Sequence, residues 1–416
     1  MTPDPSKTRD PGDRSRRERR RRAALARARR RGRIRLTVLV AALGIAAALV
    51  ITLTGGSGHP ASSGAPAAGE QSGTGRTFAV PPLLDPHDVY AADRPGRLAP
   101  AVRKFPSRVY VPNSDSNTVS VINPKTYKVI DQFPVGVNPQ HVVPSYDLMT
   151  LWVNNDMGNS LTQINPATGR PGRTVQVTDP YNLYFTPDGH YAIVVEERMQ
   201  ALAFRDAQTM QLHHTLHVPC AGVNHMDFTA DGRYLVASCE FGANLIKVDV
   251  RREKVVGTLR LHPGASPQDV RISPDGHTFY IADLHMNGVW MVDARTFRRI
   301  GFIPTGLAAH GLYPSRDSRY LFVSNRGEGS ISVISFATRK VVHKWRIPGG
   351  GSPDMGGVSA DGKVLWISGR YNGVVYAIST KNGHLLARIP VGSGPHGACF
   401  YPMPGRYSLG HTDNMR

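Results

Sequence analysis

Runs of β-branched and aromatic residues recur through residues 105–402 at intervals of about 43 residues, with polar turns between them. An Asp-Gly turn precedes the strongest run of several intervals, and Asp317-Ser318 takes its place in one of them. Such runs bounded by turn residues predict short β-strands. The strong runs are seven in number, namely VYVPN from Val109, LWVNN from Leu151, YAIVV from Tyr191, YLVAS from Tyr234, FYIAD from Phe279, LFVSN from Leu321 and LWISG from Leu365.

Each interval contains enough strand-forming sequence for four strands, and the Asp-Gly turn separates the first from the second. One four-stranded sheet cannot bury both of its faces, so sheets repeated at this period predict an all-β, seven-bladed β-propeller. The first repeat begins at its second strand, whereas residues 395–402 follow the seventh repeat as an additional first strand. We therefore expect this C-terminal inner strand to pair with the N-terminal blade and close the ring.

The strand endings Tyr110-Val111-Pro112-Asn113 and Phe322-Val323-Ser324-Asn325 resemble the YVTN family of β-propeller repeats. Residues 117–123 and 329–334 resemble the third strand of that family, and Pro395-His396-Gly397 resembles the start of its first strand. The resemblance covers about residues 105–402 and implies the propeller fold for a domain of residues 105–416. It implies no single activity, because propellers of this kind carry unrelated functions.

The basic character of the chain is concentrated at its start. The formal net charge is +19, and more than half of it lies in residues 1–35, a segment that predicts a disordered head. Residues 36–54 follow as an uncharged apolar stretch long enough to cross a bilayer as a helix. Cations before the stretch and few charges after it predict a single-pass signal anchor with a cytoplasmic head. The basic head then rests near anionic lipid, which disfavours nucleic acid as its partner.

The anchor hypothesis places the propeller outside the cell, at the plasma membrane. A cleaved signal peptide is the alternative, because small residues follow the apolar stretch. Residues 55–104 are rich in Gly, Ser, Pro and Ala, which predicts a linker whose later part packs irregularly against the domain. We expect the propeller to be monomeric.

Histidines recur where the first strand of a repeat begins. Neutral imidazoles around one channel mouth could bind copper, zinc or iron, although such histidines can also simply join neighbouring blades. Two of them lie one residue earlier in their repeats than the other two, so their convergence does not follow from the spacing. The four candidate metal ligands are His141, His225, His310 and His396.

The same face should carry the first strand starts and the loops that follow the second strands. Residues there suggest a ligand-binding rim, with the arginines suited to an anion; they are Asn155, Asp156, Asp269, Asp283, Asn325, Arg326 and Arg370. Candidates for a metal ligand, nucleophile or proton-transfer group are Cys239, Glu240, Glu196 and Glu197. Because the chain has three cysteines, at least one must lie outside any intramolecular disulfide.

Two functional hypotheses follow from these patterns. The first is a membrane-anchored, extracytoplasmic binding or scaffold module that contacts a cell-surface polymer, peptide or protein. The second is a metal-dependent oxidoreductase or lyase with a histidine-rich site at the channel mouth. The Gly349-Gly350-Gly351 run leads into a strand and lacks the Lys-Ser/Thr of a phosphate-binding loop, and a serine nucleophile elbow is also missing from the sequence.

Overall fold

The structure, a computed structural model, describes residues 79–416. Within them, 28 strands form seven sheets of four antiparallel strands, so the predicted seven-bladed propeller is confirmed. From the channel outwards, blade 1 comprises β28 (Cys399–Tyr401), β1 (Arg108–Asn113), β2 (Thr118–Asn123) and β3 (Lys128–Pro134), and blade 2 comprises β4 (Pro139–Pro144), β5 (Leu151–Asn155), β6 (Ser160–Asn165) and β7 (Arg170–Gln176). In the same order, blade 3 comprises β8 (Pro180–Phe185), β9 (Tyr191–Glu196), β10 (Ala201–Asp206) and β11 (Leu212–His217). Blade 4 comprises β12 (Val223–Phe228), β13 (Tyr234–Cys239), β14 (Asn244–Asp249) and β15 (Lys254–Arg260).

Blades 5 to 7 repeat the same order. They comprise β16 (Pro267–Ile272), β17 (Thr278–Asp283), β18 (Gly288–Asp293) and β19 (Arg299–Pro304); β20 (Ala309–Pro314), β21 (Tyr320–Asn325), β22 (Ser330–Ser335) and β23 (Lys340–Arg346); β24 (Pro353–Val358), β25 (Val364–Gly369), β26 (Val374–Ser379) and β27 (Leu385–Pro390).

The ring closes through its two ends, as the offset of the repeats predicts. Strand β28 pairs antiparallel with β1, and Tyr110 lies opposite Cys399 in the register. The first three strands of each blade are largely buried, while outer strands such as β15 alternate between exposed and half-buried residues. The core therefore lies between neighbouring blades, where apolar side chains of facing sheets pack together.

The Asp-Gly turns join the first and second strands at one end of the channel, which we call the turn face. Gly189 has a φ of +72°, a conformation that costs glycine little, and the Asp188 carboxylate accepts a hydrogen bond from the backbone N–H of His190 at 3.0 Å. Ser318 adopts a φ of +60° at the corresponding position. The opposite end, the mouth face, carries the loops that precede the first strands and follow the second strands.

Segments before and after the blades cover the turn face. Two single-turn 3-10 helices, Ala91–Asp93 and Pro100–Val102, lie in the irregular segment that precedes β1, and the Tyr90 hydroxyl donates to the carbonyl of Ile272 at 2.7 Å. Residues 407–416 fold back on themselves, with Ser408 bridged to Met415, and they are almost wholly buried. The described part of the predicted linker thus contacts the blades, and the domain boundaries stay a prediction.

The predicted head and membrane span, residues 1–35 and 36–54, lie outside the described residues. Within residues 79–416, no helix combines the length and apolar character needed to cross a membrane.

Candidate functional site

In blades 2 to 7 the channel is lined by the second and third residues of the first strand. In blade 1 the equivalent residues, His396 and Gly397, lie just before β28. Most of these strands have a register shift at this point, for example between Pro139 and Val142 and between Ala309 and Leu312. A regular strand would send successive side chains to opposite faces, but an irregularity of this kind re-aims them. This is why His141 and His225, third residues of β4 and β12, can meet histidines that hold second positions.

The four predicted histidines are brought together on two adjoining levels, and all are buried. The rings of His141 and His396 have centroids 4.8 Å apart, and those of His225 and His310 lie 6.3 Å apart. His310 and His396 are one residue nearer the mouth than the other two. The one-residue difference in spacing therefore separates the levels and does not prevent the histidines from meeting.

A fifth histidine, His411, enters from the turn face and completes the deeper level. Its ring centroid lies 5.2 Å from that of His141 and 4.9 Å from that of His225. The backbone N–H of His411 donates to the Leu183 carbonyl at 2.9 Å, which holds the tip of the C-terminal segment inside the channel. The sequence did not predict a role for His411, because this residue lies beyond the last repeat and the periodicity cannot place it relative to the channel.

His141, His225 and His411, which we call the histidine triad, each offer a ring nitrogen within 4.8 Å of the others. The His141 Nδ1–H donates to the Tyr181 carbonyl at 3.0 Å, which leaves Nε2 as the nitrogen with a free lone pair. Within the described region, His141 Nε2 and both ring nitrogens of His225 are buried without a hydrogen-bond partner. Burial, together with nearby histidines, lowers the pKa of His141 and of His225 well below the usual value, so both rings are neutral near pH 7.

Two side chains make polar contacts with the His411 ring. Its Nδ1 accepts a hydrogen bond from the Asn182 side-chain amide at 3.1 Å, and its Nε2 lies 3.6 Å from Asp269 Oδ1. Asp269, predicted as a ligand-binding residue, is buried in the channel and also accepts from the backbone N–H of Leu312 at 2.9 Å. Burial acts to raise the pKa of Asp269, but Arg271, His411 and the Leu312 N–H together outweigh burial, so the pKa lies below its usual value.

Asp354 organises the outer level. The His396 Nδ1–H donates to Asp354 Oδ2 at 2.7 Å, and His310 Nδ1 lies 3.0 Å from Asp354 Oδ1. Arg326 donates to the same carboxylate at 3.0 Å, and an Arg370 nitrogen lies 3.6 Å from it. A carboxylate behind an imidazole fixes the orientation of the ring, an arrangement common in metal sites. Asp354 holds the same register position as His310 and His396, so the repeat alignment could have identified it.

Above these levels, the residue that follows each second strand forms what we call the mouth ring. It contains three predicted acids in consecutive blades and two predicted arginines in consecutive blades; its members are Ser114, Asp156, Glu197, Glu240, Leu284, Arg326 and Arg370. Burial and the neighbouring carboxyl group of Asp179 raise the pKa of Asp156 to about 7. Burial also raises the pKa of Glu240 above its ordinary value.

Several predicted rim residues serve the blades themselves. The Asn155 amide donates to the hydroxyls of Ser160 and Thr162 at 3.2 and 2.9 Å, and Asn325 makes the same contacts with Ser330 and Ser332. These contacts, and the acceptance of the Trp290 Nε1–H by Asp283 at 2.8 Å, give Asn155, Asn325 and Asp283 a role within their own blades. Ligand binding by these residues stays a prediction. Glu196 ends its strand β9 as Asn155 ends β5, and it is likewise buried.

The prediction of a reactive thiol at Cys239 is wrong for this structure. Cys239 forms a disulfide with Cys220, and their Cα atoms lie 5.0 Å apart. Its sulfur is therefore neither a thiolate ligand nor a nucleophile in the disulfide-bonded protein. Cys399, the remaining cysteine, is buried in closing strand β28, and burial raises the pKa of its thiol.

Comparisons with known proteins agree with this architecture. A family model described as a YNCE-like beta-propeller matches residues 93–403. The uncharacterized protein YncE of Salmonella typhi is 24% identical over 263 residues, which cover 59% of this chain and 73% of that protein.

Solved structures show the same fold at lower identity. A functionally unknown protein from Desulfotomaculum acetoxidans has a TM-score of 0.60 at 15% identity, covering 70% of this chain and 98% of its own. Dihydro-heme d1 dehydrogenase NirN has a TM-score of 0.55 at 16% identity, covering 73% of this chain and 76% of its own. Likeness at these identities concerns the fold and carries no activity.

Proposed function

Because this chain belongs to the YncE-like β-propeller family, whose fold alone fixes no activity, we propose from its own channel that it binds a transition-metal ion. The histidine triad carries the proposal, since three buried imidazoles from two blades and the C-terminal segment offer nitrogens within 4.8 Å of one another. Ligands to one ion with metal–nitrogen bonds of about 2 Å lie at most about 4 Å apart, so small ring rotations would complete the site.

The protonation state of the triad supports this function. A metal ligand must be deprotonated, and the lowered pKa values of His141 and His225 keep these rings neutral at physiological pH. A buried polar group without a partner costs about 1–3 kcal/mol, and a bound ion would offset that cost at one of the two His225 nitrogens. An all-imidazole donor set suits copper, zinc or iron.

The outer level would serve the ion indirectly. His310 and His396 are held by Asp354, so they stand ready either to add ligands or to hold and release a proton beside the ion. A metal ion in this position could act as a Lewis acid or a redox centre, which retains the oxidoreductase or lyase hypothesis as an extension of metal binding.

A partner-binding role is the second candidate, and the apolar side chains of the mouth face favour it. Among residues 79–416, six exposed large hydrophobic side chains lie in loops of that face, namely Val137, Met157, Met199, Phe241, Leu307 and Tyr371. Exposed apolar clusters commonly mark contact surfaces. On this proposal residues 36–54 anchor the propeller at the outer side of the plasma membrane, and the mouth face meets a cell-surface partner.

Metal content tests the principal proposal. The full-length chain, purified without a histidine tag, should contain about one equivalent of copper, zinc or iron by elemental analysis. The His225→Ala variant should lose that metal, while His343→Ala, a change at an exposed histidine of β23, should keep it. An equal, substoichiometric metal content in all three proteins would reject metal binding, and partner capture by the mouth face would become the principal hypothesis.

A further inference from the structure

The mouth ring is sorted by charge around the channel. Its carboxyl residues Asp156, Glu197 and Glu240 belong to blades 2, 3 and 4, and its guanidinium residues Arg326 and Arg370 belong to blades 6 and 7. Uncharged residues from blades 1 and 5 separate the two groups. Because consecutive blades are neighbours in the ring, the mouth has an acidic arc facing a basic arc.

Among residues 79–416, no cationic side chain forms an ion pair with either glutamate of the acidic arc. The side-chain amide of Asn224 donates to Glu240 Oε2 at 2.7 Å and to Glu197 Oε1 at 3.3 Å, bridging them. Arg198 pairs instead with Asp179 at 2.6 Å and with Asp156, the third carboxyl residue of the arc, at 3.3 Å. Burial and the neighbouring Glu240 carboxylate raise the pKa of Glu197 to about 8. A positively charged donor at this point would relieve the repulsion between the two carboxylates.

The same side chain that joins the glutamates has an unused acceptor. Asn224 is fully buried, and its Oδ1 has no hydrogen-bond partner in the part of the chain that the structure describes. Native proteins pair nearly all buried polar groups, so an atom of this kind indicates that something else donates to it. An ammonium group, with three N–H donors, could satisfy Asn224 Oδ1 and both glutamates together.

The basic arc shows the opposite deficit. Two guanidinium groups, from Arg326 and Arg370, share the single carboxylate of Asp354, which also accepts from His396. Arg370 is the less well satisfied, since within residues 79–416 its Nη1 is buried without a hydrogen-bond partner. Guanidinium groups bind carboxylates through paired N–H donors, so a second carboxylate would complete this arc.

We propose that the channel mouth binds a small zwitterion, with its protonated amine on Glu197, Glu240 and Asn224 and its carboxylate on Arg326 and Arg370. Amino acids and their ω-amino homologues are the simplest molecules of this class. Phe241 and Tyr371 each follow a mouth-ring residue and are 69% and 72% exposed, so they can cover the carbon chain of such a ligand. This site is distinct from the proposed metal site, because the two arcs are present with or without an ion below them.

A series of ligands of increasing length tests the proposal. Glycine, 4-aminobutyrate and 6-aminohexanoate are titrated into the metal-free full-length chain by calorimetry, beside hexanoate and hexylamine. We expect one amino acid of the series to bind at least tenfold more tightly than either single-charge analogue, because each lacks one of the two contacts. The preferred length would give the distance between the arcs.

Two variants that each remove one charge test the two arcs separately. Glu240→Gln and Arg370→Gln should each weaken binding of the preferred amino acid at least tenfold, while Lys363→Gln, the same charge change as Arg370→Gln at an exposed turn-face residue of blade 7, should leave it unchanged. Thermal unfolding checks that each variant is folded, and metal content is measured independently. The proposal would be overturned if hexanoate or hexylamine bound as tightly as the preferred amino acid, or if no member of the series bound at millimolar concentration. Full affinity in either arc variant would also overturn it. None of these results would bear on the metal site.

Discussion

The rings of His225 and His411 lie 4.9 Å apart between centroids, with their planes inclined at 76°. One ring belongs to the first strand of blade 4, and the other comes from the segment that enters the channel at the turn face. Their meeting makes the candidate metal site depend on two parts of the chain that the blade repeat does not relate. A variant that lacks only the His411 ring can therefore distinguish what the C-terminal segment contributes to the metal site from what it contributes to stability.

Truncation of the C-terminal segment should cost more than loss of its histidine. Removing residues 407–416 takes Asp413 from Arg316, which it contacts at 2.8 Å, and leaves Arg316 paired with Asp93. Breaking a buried pair completely costs about 3–5 kcal/mol, which sets an upper bound for this one contact. His411→Ala keeps that pair, so we expect a smaller loss of unfolding free energy together with loss of the metal. Denaturant unfolding and elemental analysis of both variants measure the two effects. A His411→Ala protein with unchanged metal content would exclude this residue as a ligand.

Acid should destabilise the metal-free protein through its buried histidines. Burial, with Arg370 nearby, lowers the pKa of His396 to about 4, against about 6.5 in an unfolded chain. Between these values the unfolded state binds the additional proton, so this residue should remove about 1.4 kcal/mol of stability per pH unit as the pH falls. The stability is fully present above about pH 6.5, the pKa of an unfolded histidine.

The comparison that isolates this effect uses His396→Gln, which keeps a donor for Asp354 and removes the titration. Unfolding free energies measured from pH 7.5 to 4.5 should fall less steeply in this variant than in the wild type. His343→Gln changes an exposed histidine and should follow the wild-type profile. Parallel pH profiles for wild type and His396→Gln would contradict the lowered pKa.

Thiol counting should reproduce the cysteine assignment. The native chain should be unreactive toward a thiol reagent, and the unfolded chain should expose one thiol, that of Cys399, without reductant and three with it. Because the Cys220–Cys239 bridge spans 19 residues, its loss should cost about 3 kcal/mol through the entropy of the unfolded chain. Three reactive thiols in the unfolded chain without reductant would contradict the disulfide.

Asn155 should matter for the blade and not for the ion. Asn155→Ala removes two hydrogen bonds to the third strand and should lower the unfolding free energy by about 1–3 kcal/mol. Metal content and amino-acid binding should stay at wild-type values, since the side chain points within blade 2. Loss of either ligand from a folded Asn155→Ala protein would instead support the ligand-binding prediction for this position.

The sequence by itself determined the number of blades, the positions of their strands and the closure of the ring. These features follow from local patterns, because an Asp-Gly turn and an apolar run specify each hairpin wherever they occur. The offset between Val109 and residues 395–402 was enough to predict which strand closes the propeller, since an unpaired edge would otherwise remain. The acids and arginines of the mouth ring were also identified by their common position in the repeats.

Only the tertiary structure decided which of these side chains form a site. The register shift in most first strands aims two successive residues into the channel, which is how His141 meets His396, and a pattern of simple alternation cannot show it. Disulfide formation depends on the distance between β13 and the loop before β12, so the cysteine count left Cys239 undecided. His411 reaches the channel through contacts with blades 3 and 7, and long-range packing of a segment outside the repeats leaves no periodic signal in the sequence.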